Sequence, residues 1–340
     1  MIPTSIAIQA TGLMTAVGSN APTSCAAFRA KLTNPSPTQF MDSAGDWILA
    51  HCVESAGPRR GLGRLALMAA TVIDEALTDV QLAEWPAIPL IVCVAERERP
   101  ARLEGLDGEL LDLIEQLLGV RFYSRSTVAR GRVGVAVALA QARSMIAGGV
   151  ARRVAIAAVD SLLDWPTLSH YDGHARLLTA ENSNGFMPGE GAGAVLVGQP
   201  SGAVELLCSG IGFAIEPASI ASEEPLRAEG LANAIRSALN EAGVQMHDVD
   251  YRIADLSGEQ YYFKEAALAL SRTLHRPKSE FDLWHPAECT GEAGALAGAA
   301  IIALAAAASR TGFGKGPNVL AHMSADAGER AAIVLRFGSR

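Results

Sequence analysis

Short runs of apolar, often β-branched residues alternate along this chain with longer Ala- and Leu-rich stretches. No other feature constrains the fold as strongly. LIVCVA (90–95) and VAIAAV (154–159) are apolar at every position, so neither face of such a strand is suited to water. Strands buried on both faces need helices on both sides, which predicts an α/β fold. The pattern also repeats once. In the first half, an amphipathic helix over 64–78 leads through Ala87-Ile88-Pro89 to the strand at 90–95. A helix over 133–147 and the strand at 154–159 follow. The second half offers a helix over 231–242, a strand near 250–254, a long apolar helix from 293, and strands over 318–323 and 331–337. Two copies of one βαβαβ-like unit predict two stacked halves, 1–200 and 201–340, divided near Gln199-Pro200-Ser201-Gly202.

Composition supports this scale of core. Of 340 residues, 49% are hydrophobic and 19% charged, which provides for a large interior and excludes a disordered chain. A net charge of −8 argues against nucleic acid or an anionic membrane as the main partner. The apolar stretch at 292–309 is mostly Ala and Gly and reads as a buried core helix rather than a membrane span. The five cysteines (Cys25, Cys52, Cys93, Cys208, Cys289) are scattered, with no CxxC or zinc spacing. No charged segment followed by an apolar run opens the chain. The expectation is therefore reduced thiols, a cytoplasmic location, no metal and no cofactor.

The most specific segment is NGFMPGEGAG, with Gly185, Phe186, Gly189, Glu190, Gly191 and Gly193. It resembles the DGF-x-x-GEGAG motif of the β-ketoacyl synthases of the thiolase-like superfamily. Four other segments resemble that family in the same order: TGLMTAVG with CAAFRAKL near the start, VAIAAVDS at 154–161, AGVQMHDVDYRIAD at 242–255, and TGEAGALAG at 290–298. The resemblance implies a five-layered αβαβα fold of two related halves. It also implies a homodimer, or a heterodimer with an active condensing subunit, built on the strand beside the nucleophile helix. An acyl chain and an acyl carrier protein would be the natural partners.

The same resemblance exposes what is missing. Family members use a cysteine thiolate at a helix N-terminus, activated by the helix dipole, and two histidines that support decarboxylation and the attacking enolate. Counting back from the strand at 154 places the nucleophile near Gly131 or Arg132, and no cysteine lies between Cys93 and Cys208. Laying VDYRIAD on V-D-Y-x-N-A-H puts Asp255 at the first histidine. Laying TGEAGALAG on TGH-x-x-GAAG puts Glu292 at the second. The lysine before that histidine aligns with Ala287, and the closing Gly-Phe-Gly-Gly loop with Ala325-Asp326-Ala327-Gly328. Nucleophile, histidines, lysine and loop depart together, so condensing activity is not expected.

Two readings of the replaced site follow. In one, Arg132 (or Arg130) lies between Asp255 and Glu292 and neutralises them, leaving an inactive scaffold resembling a chain-length factor. In the other, the two carboxylates form a new acid/base pair, with Glu259, His285 and Glu288 as auxiliaries. Cys289 reads as core packing. His170 and His174 read as surface groups in a polar loop, and Arg152-Arg153 and Arg97-Glu98-Arg99 as solvated turns.

Overall fold

The computed structural model describes residues 5–54, 57, 58 and 60–338. Twelve strands occur among them: β1 (Ile6–Met14), β2 (Ser36–Met41), β3 (Trp47–Ala50), β4 (Leu90–Val94), β5 (Arg125–Ala129), β6 (Arg153–Ser161), β7 (Glu190–Gly198), β8 (Glu205–Ile215), β9 (Tyr251–Ala254), β10 (Leu283–Trp284), β11 (Asn318–Ser324) and β12 (Glu329–Gly338). Strands β2 and β3 form a separate hairpin. The other ten run β10-β9-β11-β12-β8-β1-β7-β6-β4-β5 in one sheet.

The repeat in the sequence is a repeat of topology. The first half contributes β1, β4, β5, β6 and β7, and the second β8 to β12. In both, the third strand is outermost, followed by the second, fourth, fifth and first. Directions repeat too: the second strand is parallel to the third and fourth, while the fifth runs antiparallel to its neighbours. The halves join where β1 pairs antiparallel with β8, from Ile6↔Cys208 to Ile8↔Leu206.

Strand periodicity sorts side chains into layers. On β4, Ile91 and Cys93 face a central core, while Leu90, Val92 and Val94 pack outward with helices Gly61–Leu77 and Glu109–Leu118. On β12, Ala331, Ile333 and Leu335 face the same central core, while Ala332 and Val334 meet helix Glu229–Ala242. Helices Gly134–Ala147 and Leu296–Thr311 fill the space between the halves. The result is an αβαβα arrangement. Each fully buried Ile, Val or Leu in these layers contributes about 1.5–3 kcal/mol.

Three features differ from the sequence reading. The apolar helix begins at Leu296, not at Ala293, because Gly291 and Gly294 adopt positive φ before it. Glu292 therefore lies on an isolated bridge to Pro188 rather than on the helix. The helix is buried, and among the described residues no helix is long and apolar enough to cross a membrane. Strand β6, assigned from VAIAAVDS to the two-fold interface, is hydrogen-bonded on both sides by β4 and β7. It has no open edge; that edge belongs to β5, a short half-exposed strand absent from the sequence reading.

The glycine-rich segment enters β7 beneath the start of the central helix. A Cβ at Gly189 would lie 2.0 Å from the Thr290 carbonyl oxygen, and one at Gly193 would lie 2.7 Å from the Ala299 Cβ. Both glycines are needed for close backbone approach. Gly189→Ala is expected to destabilise by about 1–3 kcal/mol through forced backbone displacement. A lower urea midpoint with an unchanged slope would register it, and an unchanged midpoint would refute the packing account.

Candidate functional site

Four connections deliver charged groups to one end of the central helix layer. After β5, a single 3₁₀ turn (Gly131–Val133) carries Arg132 into the helix Gly134–Ala147. The loop after β9 carries Asp255, Ser257 and Glu259, and the turn between β11 and β12 carries Asp326. Glu292 arrives on its bridge beside Pro188.

Arg132 is buried, and its guanidinium organises the cluster. Its Nη1 lies 3.4 Å from Glu292 Oε2 and 3.9 Å from Asp255 Oδ2. Its Nη2 donates to the Tyr262 hydroxyl at 2.7 Å and to Asp326 Oδ1. The Arg132 Cζ also sits 4.4 Å from the Tyr262 ring centroid. Asp326 is shared: its Oδ2 accepts from Arg176 Nη1 at 2.5 Å, and Arg176 grips Glu259 with two further hydrogen bonds of 2.7 Å each. Glu292 accepts from the Ser257 hydroxyl at 2.8 Å and from the Gly294 amide at 3.0 Å. Asp255 Oδ2 accepts from the Ser324 amide at 2.8 Å.

A second buried pair adjoins this one. Arg99 binds Glu96 through two hydrogen bonds and Asp160 Oδ1 at 2.9 Å, and Asp160 Oδ2 accepts from the Ala295 amide at 2.9 Å. Arg99 is thus a structural ion-pair residue, which corrects its reading as part of a solvated turn. Tertiary partners from β6, not local composition, set its burial. The space enclosed by Glu96, Arg99, Arg132, Arg176, Glu292 and Asp326 is a cavity of about 10 Å³, and the one beneath Asp255 and Glu292 about 20 Å³. Each has room for about one water molecule and none for a substrate.

Protonation follows from this packing. Three arginines face six carboxylates: Glu96, Asp160, Asp255, Glu259, Glu292 and Asp326. Asp326, between Arg132 and Arg176, is held well below the ordinary carboxylate range even though burial opposes this. Burial pushes Asp255 up to about 7 against the pull of Arg132, and pushes Asp160 up to about 6. Burial likewise raises Glu259 despite its grip on Arg176.

The structure brings Arg132, Asp255, Glu259 and Glu292 into one cluster but leaves His285 and Glu288 outside it. His285 Nδ1 lies 2.9 Å from Glu288 Oε1, and Glu288 faces Lys31 at 3.5 Å, on a different pocket. Arg130 is exposed and pairs with Glu329 at 3.2 Å. Cys289 is buried in the short helix Ala287–Thr290, and burial pushes its thiol up to about 11. His170 lies within helix Trp165–Gly173, not in a loop, and His174 caps its end at the surface. Glu190 serves the fold: it accepts from Arg64 Nε at 2.9 Å, the Val53 amide at 3.0 Å and the Ser161 hydroxyl at 3.0 Å. No group of metal-binding side chains occurs among the described residues. Sequence reasoning missed Tyr262, Arg176 and Ser257, and noted Asp326 only as part of an altered loop.

Comparison with known proteins fits this architecture. Residues 126–203 match the family model described as Beta-ketoacyl synthase, N-terminal domain. A structure described as the ketosynthase ApeO in complex with its chain length factor ApeC, from Xenorhabdus doucetiae, superposes with a TM-score of 0.79 at 13% identity, covering 98% of each chain. The fold is that of the β-ketoacyl synthases. The ishigamide ketosynthase/chain length factor gives 0.77 at 17% identity, covering 98% of this chain and 99% of that one. A β-ketoacyl synthase from Burkholderia phymatum gives 0.74 at 14%, covering 98% and 99%. No curated protein matches the sequence significantly. Within this ketosynthase fold, the Arg132 cluster lies at the start of the helix Gly134–Ala147, between the two halves.

Two predictions follow from the cluster. Arg132→Met leaves Glu292 and Asp326 without their shared cation, and is expected to cost about 3–5 kcal/mol by chemical denaturation. A loss under about 1 kcal/mol would show that the cluster relaxes into water without it. Asp255 titrates at about 7 in the folded chain and near 3.8 unfolded, so the folded state holds the proton more tightly. Stability from this group is full below pH 3.8 and is lost as pH rises towards about 7. Asp255→Asn should therefore flatten the fall in stability across that window, and an unchanged slope would contradict the raised pKa.

Proposed function

We propose that this chain is a catalytically inactive β-ketoacyl synthase-like protein, a scaffold subunit of the chain-length-factor kind. The observation that carries this reading is the occupied site. If Arg132, Asp255 and Glu292 stand where the family keeps its cysteine and two histidines, a buried guanidinium fills the place of the nucleophile. No thiol joins the cluster, and arginine, held protonated by its carboxylates, is neither nucleophile nor base. Two of the similar structures are described as ketosynthases with a chain length factor, which makes a condensing subunit the natural partner for such a scaffold. The open edge of β5 supports assembly as a homodimer or a heterodimer, since an unpaired strand offers backbone donors and acceptors to a second chain. Acyl chains and an acyl carrier protein are the further partners this reading implies.

The alternative, acid/base chemistry at Asp255 and Glu292, draws support from one observation: Asp255 titrates near neutrality. Against it stand the burial of both carboxylates and the lack of room for a substrate between them. The test is turnover of a malonyl thioester on a carrier protein by the purified chain. The scaffold reading predicts no carbon dioxide release above the uncatalysed rate, with or without an acyl primer. Sustained decarboxylation that disappears in Asp255→Asn would replace it with the acid/base reading.

A further inference from the structure

A well-formed pocket lies away from the Arg132 cluster. It is a cavity of about 320 Å³ between helix Ala21–Ala30, β10 and the short helix Ala287–Thr290. Its walls are apolar and mostly aromatic: Phe28, Trp284, Phe313 and Leu304, with the buried Cys289 beside them. Trp284 and Phe313 are stacked, with ring centroids 6.0 Å apart and planes 28° from parallel. That volume falls within the range of small-molecule sites, and flat walls favour a flat occupant over a flexible chain.

The polar groups are few and lie on one side. Glu288 lies 2.9 Å from His285 Nδ1 and 3.5 Å from Lys31 Nζ. Burial lowers the His285 pKa, so the imidazole is neutral near pH 7 and adds no charge. Glu288 and Lys31 then cancel. Arg29 remains: it is exposed at the end of its helix, and its guanidinium lies over the Phe313 ring at 4.9 Å, at the edge of the cavity. The lining therefore carries one net positive charge on an aromatic slot.

We propose that this pocket binds a planar aromatic monocarboxylate, its rings against Trp284 and Phe313 and its carboxylate on Arg29. The ring faces supply burial, and the guanidinium supplies a charge-assisted, two-pronged contact that a neutral analogue lacks. This site is independent of the reading given for the Arg132 cluster, and it survives or fails without it.

Calorimetry with naphthoate on the full chain tests the assignment. Saturable binding is expected, weakened about tenfold in Arg29→Glu, which reverses the charge at the pocket edge and keeps the aromatic walls. The neutral naphthalene methanol should bind more weakly and be insensitive to that change. The chain has four tryptophans, so fluorine-labelled tryptophan locates the ligand: only the resonance absent from Trp284→Phe should shift. No saturable binding, equal affinity for Arg29→Glu, tighter binding of decanoate, or a shift at another tryptophan would each overturn the proposal.

Discussion

A guanidinium removed from water must be neutralised where it lies, and the centre of this molecule is arranged around that requirement. Arg132 enters at the start of a buried helix and draws Glu292, Asp326 and Tyr262 towards it from separate connections. Asp326 then commits Arg176, which commits Glu259. The loops that would have to part to admit a substrate are thereby tied together by paired charges. Desolvating such groups is expensive, and full pairing is the condition on which they remain folded.

The charge count makes the cluster uneven. With three arginines among six carboxylates, burial raises Asp160, Asp255 and Glu259 despite their cations, and only Asp326, between two arginines, is carried well below the ordinary range. Asp326 sits between two arginines, and the one arginine near Asp255 lies 3.9 Å away. Their opposite displacements follow from one balance: burial pushes Asp255 up to about 7 against a single arginine, whereas two arginines overcome burial at Asp326. A near-neutral carboxylate in this setting follows from packing and needs no catalytic role to explain it.

The fold was legible in the sequence where burial is continuous. β4 and β6 announced themselves as unbroken apolar runs, and the order of helices and strands exposed the duplication. β5 was not legible, because RSTVA is a half-exposed edge strand that lacks such a run. The site was legible only in part. Arg132, Asp255 and Glu292 could be placed by resemblance, whereas Arg176 and Tyr262 carry no local signal. Tyr262 reaches Arg132 across 130 residues and Arg176 reaches Asp326 across 150, separations which only the folded topology closes. Arg99 misled for the same reason, since its charged neighbours suggested solvent while Asp160, 61 residues away, held it inside.

Arg132 is locked inside the molecule by its ion pairs. Proton exchange at its guanidinium, followed by nitrogen-resolved NMR and assigned by the signal lost in Arg132→Lys, tests that most directly. The account predicts slow exchange and separate resonances for the two terminal amino groups, because each is held by different partners. Fast exchange with averaged resonances, as for a surface arginine, would mean that the guanidinium swings into water and leaves the carboxylates facing an open site.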